Sequence, residues 1–277
     1  MHLRPARRLV ILAFLWCALA TSLGACVPSS GGTAGGIVLA GSTSVQPFAE
    51  LLAEEYAREH PSEPVINIQG GGSTAGIEAA LSGTAEIGMS SRALREAELA
   101  EGLSYQPIAY DAIAVVVHQD NPISSLTSEQ VRQIFSGEIT TWSQLGGPER
   151  PITLITREEG SGTRGAFEEL LMQDSRISDR ALRQDSNGAV RVIVNSDPAA
   201  IGYMSLGIVG TFVKPVALDG VQPTTRAAIE GEYALVRPFL FVWRGELSPP
   251  ARKFVDYCLS PPAQGILSGE GLIPVEE

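Results

Sequence analysis

The chain is poor in the side chains that most often carry catalysis and metal binding: it has three cysteines, three histidines and only two lysines, Lys214 and Lys253. Each scarcity removes a class of function. Cys17 lies in an N-terminal apolar run and Cys26 just beyond it, so Cys258 stands alone in the rest of the chain, and no disulfide framework or cysteine-based metal site can form within one chain. His2, His60 and His118 have no ligand-like spacing, and His60 and His118 read as surface or structural side chains; no metal site and no cofactor is expected. No G-x-x-x-x-G-K-[ST] or G-x-S-x-G string occurs, which removes the main support for a P-loop or a nucleophile elbow. Positive charge is scarce as well. The formal net charge is −11, and −14 without residues 1–25, which hold three arginines and no acid. That balance argues against nucleic acid and against a polybasic membrane contact, and any anion site must work through local donors against an unfavourable overall field.

The N-terminus sets the compartment. Arg4, Arg7 and Arg8 precede an apolar run from Leu9 to Leu23, a charged region followed by a hydrophobic one, as in a signal peptide over 1–25. The run ends in Leu23-Gly24-Ala25-Cys26, which resembles the lipobox of bacterial lipoproteins and implies lipidation of Cys26. Residues 26–36, rich in Ser, Gly and Pro, then form a flexible tether. About 250 residues remain, enough for one large domain or two of moderate size.

Within that part a single plan recurs: a short apolar strand, a turn of Gly, Ser and Thr, and a helix. Ile37 to Ala40 leads into Gly41-Ser42-Thr43-Ser44-Val45-Gln46-Pro47, and Phe48, Leu51, Leu52 and Tyr56 follow at helical spacing. Glu63 to Gln69 leads into Gly70-Gly71-Gly72-Ser73-Thr74-Ala75-Gly76 and the helix-like Ile77 to Leu81. Ala85 to Met89 ends in Ser90-Ser91-Arg92 ahead of a helix through Leu94 and Leu99. The fourth case is the fullest: Ile152 to Ile155 leads into Arg157-Glu158-Glu159-Gly160-Ser161-Gly162-Thr163-Arg164, with Phe167, Leu170 and Leu171 beyond. Its glycines allow close backbone approach, its hydroxyls and amides can converge on an anion, and Arg157 and Arg164 can add guanidinium forks. An ordinary Ser/Thr-capped helix is the alternative for any one turn. In open α/β sheets ligands bind beyond the carboxyl ends of the strands, so four such turns together point to a convergent anion site.

Farther on, Ile108 to Val117 is a buried strand that leaves a first lobe and Tyr233 to Trp243 the strand that returns; a single-lobe arrangement would make both plain core strands. Between them Thr127 caps a helix to Phe135, Asn187-Gly188 is a turn signal, Val190 to Val194 is strand or helix, and Ile201 to Met204 is a short buried strand. Pro249 to Leu259 and Pro262 to Leu267 are helices returning to the first lobe.

The strings Gly41-Ser42-Thr43-Ser44-Val45, Gly70 to Ile77, Arg157-x-x-Gly160-Ser161-Gly162-Thr163, Ala200-Ile201-Gly202-Tyr203, Arg237 to Val242 and the tail from Phe254 to Val275 resemble the phosphate-binding lipoproteins of phosphate ABC importers. The resemblance runs through the chain beyond the tether. It implies an α/β, two-lobe periplasmic-binding-protein fold of type 2 with a two-crossover hinge, lobe 1 spanning 37–112 plus 238–277 and lobe 2 spanning 113–237. It also implies a non-enzymatic, monomeric receptor, anchored outside the cytoplasmic membrane by its lipid, that binds inorganic phosphate between its lobes and hands it to permease subunits.

Carried over by position, Thr43, Ser44, Ser73 and Thr74 supply donors from lobe 1, and Arg157, Ser161, Gly162 and Thr163 supply those of lobe 2. One departure stands out. Many members of the family carry an Asp after the third strand that accepts the proton of hydrogen phosphate; here that position is Ser91, followed by Arg92. Some members with a Ser-Arg pair there carry an Asp on the crossover strand instead, so the resemblance implies Asp111 as acceptor with Glu159 second; the alternative is a strand-end Asp111 paired with Arg92, a pairing that could coexist with binding. Other readings are a receptor for sulfate or molybdate, a partner-binding lipoprotein on the same fold, and a hydrolase using Ser161 or Ser73, which lacks a plausible base.

Overall fold

The computed structural model describes residues 36–275; the expected signal peptide, the Cys26 anchor and the tether as far as Gly35 lie outside the described residues. The first elements repeat the plan seen in the sequence: β1 (Ile37–Gly41), α1 (Gln46–Glu59), β2 (Ile66–Gly70), α2 (Ser73–Ser82), β3 (Ile87–Ser90) and α3 (Glu96–Ala100). A long crossover strand, β4 (Leu103–Val117), then leads to β5 (Ser125–Leu126), α4 (Ser128–Ser136), β6 (Thr153–Arg157), α5 (Gly162–Phe167), β7 (Leu182–Gln184) and α6 (Asn187–Ser196). After β8 (Ala200–Ser205), β9 (Lys214–Pro215), β10 (Ala217–Leu218) and α7 (Thr225–Ile229), the return strand β11 (Val236–Arg244) brings the chain back to α8 (Pro249–Cys258) and α9 (Pro261–Gly269).

The main sheet has nine strands in the order β2-β1-β3-β11-β4-β8-β6-β7, with β9 paired to β4. It holds both lobes of a mixed α/β fold, because β4 changes partner partway along. Leu103 to Ala112 pair with β11, whereas Ile113 to Val117 pair with β8. β1 lies parallel to both β2 and β3, and β6 lies parallel to β7 and β8. In each lobe, therefore, the turns that follow the parallel strands sit at one end of the sheet.

Apolar burial divides along the same line. Leu39, Phe48, Leu52, Phe241, Phe254 and Leu267 pack in one cluster, and Val131, Phe135, Trp142, Phe167 and Tyr203 in another; each such side chain contributes about 1.5–3 kcal/mol. The opposite face of the second lobe buries Ala114, Val116, Ile155, Val190, Val194 and Met204. Phe167 stacks on Tyr203 with ring centroids 4.0 Å apart and planes 5° apart, so helix α5 is fixed against β8 directly behind the Arg157 turn. Cys258 is buried in the first lobe, and burial pushes its thiol well above the usual range.

Several local expectations hold and others are corrected. Thr127 caps α4 through a reciprocal capping box, with Gln130 N donating to Thr127 Oγ1 at 3.1 Å and Thr127 N to Gln130 Oε1 at 2.9 Å. The helix expected through Leu94 and Leu99 is only Glu96–Ala100, because Glu98 turns back to accept from Arg95 N and Arg92. Asn187-Gly188 is the start of α6 rather than a free turn: Ser186 Oγ accepts from Ala189 N at 3.1 Å and caps the helix, which carries Val190 to Val194. Among the described residues no helix is long and apolar enough to cross a membrane.

Candidate functional site

Where the turns of the two lobes meet, the core is polar. Ser42, Ser44, Ser73, Ser90, Ser91, Asp111, Arg157, Ser161, Thr163, Asn187, Ser205 and Arg237 are all buried. Such a density of buried polar groups is costly unless they pair or face a polar ligand.

The lobe 1 side is built by the first three turns. Neither α1 nor α2 has a side-chain cap. Ser42 Oγ instead accepts from Ser44 N at 3.2 Å, which pins the loop, while Thr43 and Ser44 extend toward the second lobe. Ser73 opens α2, and its Oγ accepts from Ser91 N at 3.0 Å, tying the second turn to the third. Gly72 sits at φ +90°, where a side chain would be strained, and a Cβ there would press on Gly160 O at 3.1 Å. Thr74 N donates across the cleft to that same oxygen at 3.0 Å.

From lobe 2, Arg157 ends β6 and is 1% exposed. One edge of its guanidinium is fully engaged: Nε and Nη2 each donate to Glu158 at 2.9 Å, with further bonds to Gln184 O at 3.2 Å and Asp185 O at 3.3 Å. Nη2 also reaches Thr43 Oγ1 in the other lobe at 3.3 Å. Its Nη1 is buried and has no partner within the protein. Thr163 Oγ1 meets Ser44 Oγ at 2.8 Å across the cleft, and Gly162 lies against Ser73 and Ser91. Ser161 Oγ accepts from Arg164 N at 3.2 Å, so this buried hydroxyl caps α5. Burial pushes Tyr203 up to about 12, so its phenol stays neutral; it bonds Thr156 Oγ1 at 2.8 Å and accepts from Arg157 N at 3.3 Å, holding the end of β6 in place.

The structure thus brings together Thr43, Ser44, Ser73, Thr74, Ser91, Arg157, Ser161, Gly162 and Thr163. Asp111 lies beside them, in a different pairing from the one expected. Arg92 pairs with Glu98 at 2.7 Å, while Asp111 pairs with Arg237 at 2.9 Å, directly across the β4–β11 register. Asp111 Oδ2 accepts from Nε and Nη2 of Arg237, and Oδ1 accepts from Ser205 Oγ at 2.9 Å. Burial pushes the Asp111 carboxyl up, opposed by Arg237 and by the hydrogen bond from Ser205.

Two other assignments are corrected. Glu159 is exposed and lies 3.7 Å from Arg183, outside the cleft; the adjacent Glu158 is the residue that holds Arg157. Arg164 turns away from the junction, to Glu168 and to the Arg157 carbonyl.

Sequence reasoning missed Asn187 and Arg237 as members of the site. Asn187 Nδ2 donates to Ser44 Oγ at 2.8 Å and to Thr43 Oγ1 at 3.3 Å, and Arg237 Nη2 donates to Ser44 Oγ at 3.2 Å. Signals for both were present: Ser186 ahead of a helix-forming run, and a lone arginine in the apolar stretch Val236 to Val242. A hollow of about 600 Å³ beside α1 and β2 lies on the outer face of lobe 1 and includes none of these residues. Among the described residues no group of His, Cys, Asp or Glu could hold a metal ion.

Residues 27–262 match the model of the PBP superfamily domain. The chain is 30% identical over 247 residues to the phosphate-binding protein PstS of Bacillus subtilis, covering 88% of this chain and 82% of that protein. With PstS of Pseudomonas aeruginosa it shares 32% identity over 274 residues, covering 88% and 84%. Among solved structures, a protein from Clostridium perfringens assigned as a phosphate ABC transporter substrate-binding protein, with bound phosphate, superposes with a TM-score of 0.85 at 38% identity, covering 87% of this chain and all of that one. An ABC-type phosphate transport receptor from Vibrio cholerae superposes with a TM-score of 0.72 at 36% identity, covering 86% and 100%.

Proposed function

The chain belongs to the PBP superfamily and, within it, to the phosphate-binding proteins, and on that premise we propose that it captures inorganic phosphate between its lobes and delivers it to an ABC-type importer. It is a receptor and performs no chemistry on its ligand. The observation that carries this reading is Arg157 Nη1, a charged donor buried without a partner where donors of both lobes converge. A buried guanidinium edge left unmatched is costly, and a tetrahedral oxyanion supplies the acceptor it lacks. Thr43, Ser44, Ser73, Thr74, Ser91, Ser161, Gly162 and Thr163 would complete the cage from the two sides, with lobe 1 as 37–112 plus 238–277 and lobe 2 as 113–237.

Placement outside the cytoplasmic membrane, cleavage of residues 1–25, a lipid on Cys26 and a monomeric state complete the proposal. They are supported by the sequence of the N-terminus and by the site being complete within one chain.

Selectivity turns on Asp111. As acceptor of the ligand's proton it would favour hydrogen phosphate over sulfate, which has no proton to offer. The engagement of both its oxygens by Arg237 and Ser205 favours a second reading, a receptor for a fully ionised oxyanion such as sulfate or molybdate. Calorimetric titration of the protein with phosphate and with sulfate from pH 5 to 8 separates them. The expected result is phosphate binding with sulfate silent, and a narrowed gap between the two anions in Asp111→Asn. Sulfate binding as tight as phosphate would select the second reading, and no heat with either anion would contradict both.

A further inference from the structure

We propose that Asn187 is a positioning residue that fixes the direction of the hydroxyl protons in the cleft, making Thr43 and Ser44 obligate donors to the bound oxyanion. The inference rests on the oxyanion-receptor reading above and says what that reading leaves open: how neutral hydroxyls, able to donate or to accept, are committed to donating.

The orientation of the Asn187 amide is set by a group that cannot be reversed. Ser205 N donates to Asn187 Oδ1 at 3.2 Å, and a backbone N–H can only donate, so Oδ1 faces β8 and Nδ2 faces lobe 1. There Nδ2 donates to Ser44 Oγ at 2.8 Å and Thr43 Oγ1 at 3.3 Å. A hydroxyl has one proton and two lone pairs. Ser44 Oγ also accepts from Arg237 Nη2 at 3.2 Å, which fills its second lone pair, and Arg237 is held in that position by Asp111 at 2.9 Å. The Ser44 proton is left for the remaining direction, which here holds Thr163 Oγ1 at 2.8 Å where the two lobes meet, and a ligand oxygen seated there would take that proton in place of Thr163. Thr43 Oγ1 is in the same condition, accepting from Asn187 Nδ2 and from Arg157 Nη2, each at 3.3 Å.

Position and burial support the role. Asn187 is 1% exposed, comes from lobe 2 and reaches hydroxyls of lobe 1, so the proton order is imposed only when the lobes are together. Ser186 caps the helix that carries it, which fixes where the amide stands. Aspartate has nearly the same shape but accepts where asparagine donates; at 187 it would draw the Ser44 and Thr43 protons to itself and turn lone pairs toward the ligand.

The test is calorimetric titration with inorganic phosphate of the wild type, Asn187→Asp, Asn187→Ala, Ser44→Ala and the Ser44→Ala/Asn187→Asp double variant at pH 8. Thermal unfolding without phosphate establishes that each is folded. Asn187→Asp is expected to weaken binding by ~100-fold relative to wild type at pH 8, and Asn187→Ala by about tenfold. Direct repulsion of the anion by a new carboxylate would persist in full in the Ser44→Ala background; reversal of Ser44 would not, and only the longer contact to Thr43 would remain, so there Asn187→Asp should cost about tenfold. Binding by Asn187→Asp within about threefold of wild type, an alanine variant worse than the aspartate one, or an undiminished ~100-fold cost in the Ser44→Ala background would each overturn the inference alone. Absence of phosphate binding by the wild type would overturn the receptor reading and this inference with it.

Discussion

Arg157→Ala is expected to weaken phosphate binding by at least about a hundredfold, or ~2.7 kcal/mol, while leaving a folded protein. Most of the guanidinium is occupied in holding its own position, against Glu158, Gln184 O, Asp185 O and Thr43. That scaffolding leaves Nη1 free and directed rather than mobile. A charge-assisted hydrogen bond contributes about 1.5–3 kcal/mol, and the same substitution also removes one of the two buried guanidinium charges, Arg157 and Arg237, at the junction. Arg157→Lys should recover little, because one ammonium cannot satisfy Glu158 and the carbonyls and still offer a planar edge to the ligand. Isothermal titration measures the loss; an Arg157→Ala affinity within about threefold of wild type would contradict the assignment of this residue.

Gly162→Ala is expected to have an effect of similar size without removing any hydrogen-bonding group. A Cβ at Gly162 would overlap Ser73 Oγ and come within 2.7 Å of Ser91 Oγ and 3.0 Å of Ser73 Cβ. Ser73 cannot simply rotate aside, since its Oγ is held by Ser91 N and its own Cβ is too near. Gly162 belongs to lobe 2 and Ser73 to lobe 1, so the methyl group acts as a wedge between lobes that must meet. In the separated lobes the same alanine sits at the start of α5, where it is favoured over glycine by up to about 1 kcal/mol. Unfolding of the ligand-free variant should therefore be unchanged or slightly raised, with phosphate affinity down by ~100-fold or more and no phosphate-induced compaction in small-angle scattering. A variant that compacts and binds like the wild type would show that the close approach at Gly162 is not needed.

Both predictions concern residues that the sequence makes visible, and the reason is topological. β1, β2 and β3 are parallel in one part of the sheet and β6 is parallel to β7 and β8 in the other, so turns far apart in the chain reach one place. Repeated strand, glycine and hydroxyl turn, helix is a local pattern, and local patterns can be read. Asn187 and Arg237 are different. Each meets Ser44 from more than a hundred residues away, and nothing in a one-dimensional string sets that distance. Arg237 could have been inferred as half of a pair, since it and Asp111 are opposite charges embedded in the two apolar strands expected to cross between lobes. The choice between Glu158 and Glu159 was beyond such reasoning. Adjacent carboxylates differ only in which side of the chain they leave, and a one-residue shift turns an ion-pair partner into an exposed acid. Arg92 misled for a related reason: Glu98, six residues on, claims it before Asp111 can.

The most direct test of the central claim, that the two lobes close on phosphate at this junction, is a crystal structure of the protein with phosphate bound. The predicted result is one phosphate between the lobes, an oxygen about 2.7–2.9 Å from Arg157 Nη1, and further oxygens within hydrogen-bonding distance of the hydroxyls of Thr43, Ser44 and Thr163. Phosphate seated elsewhere, or an Arg157 Nη1 that remains without a partner in the phosphate-bound protein, would contradict it.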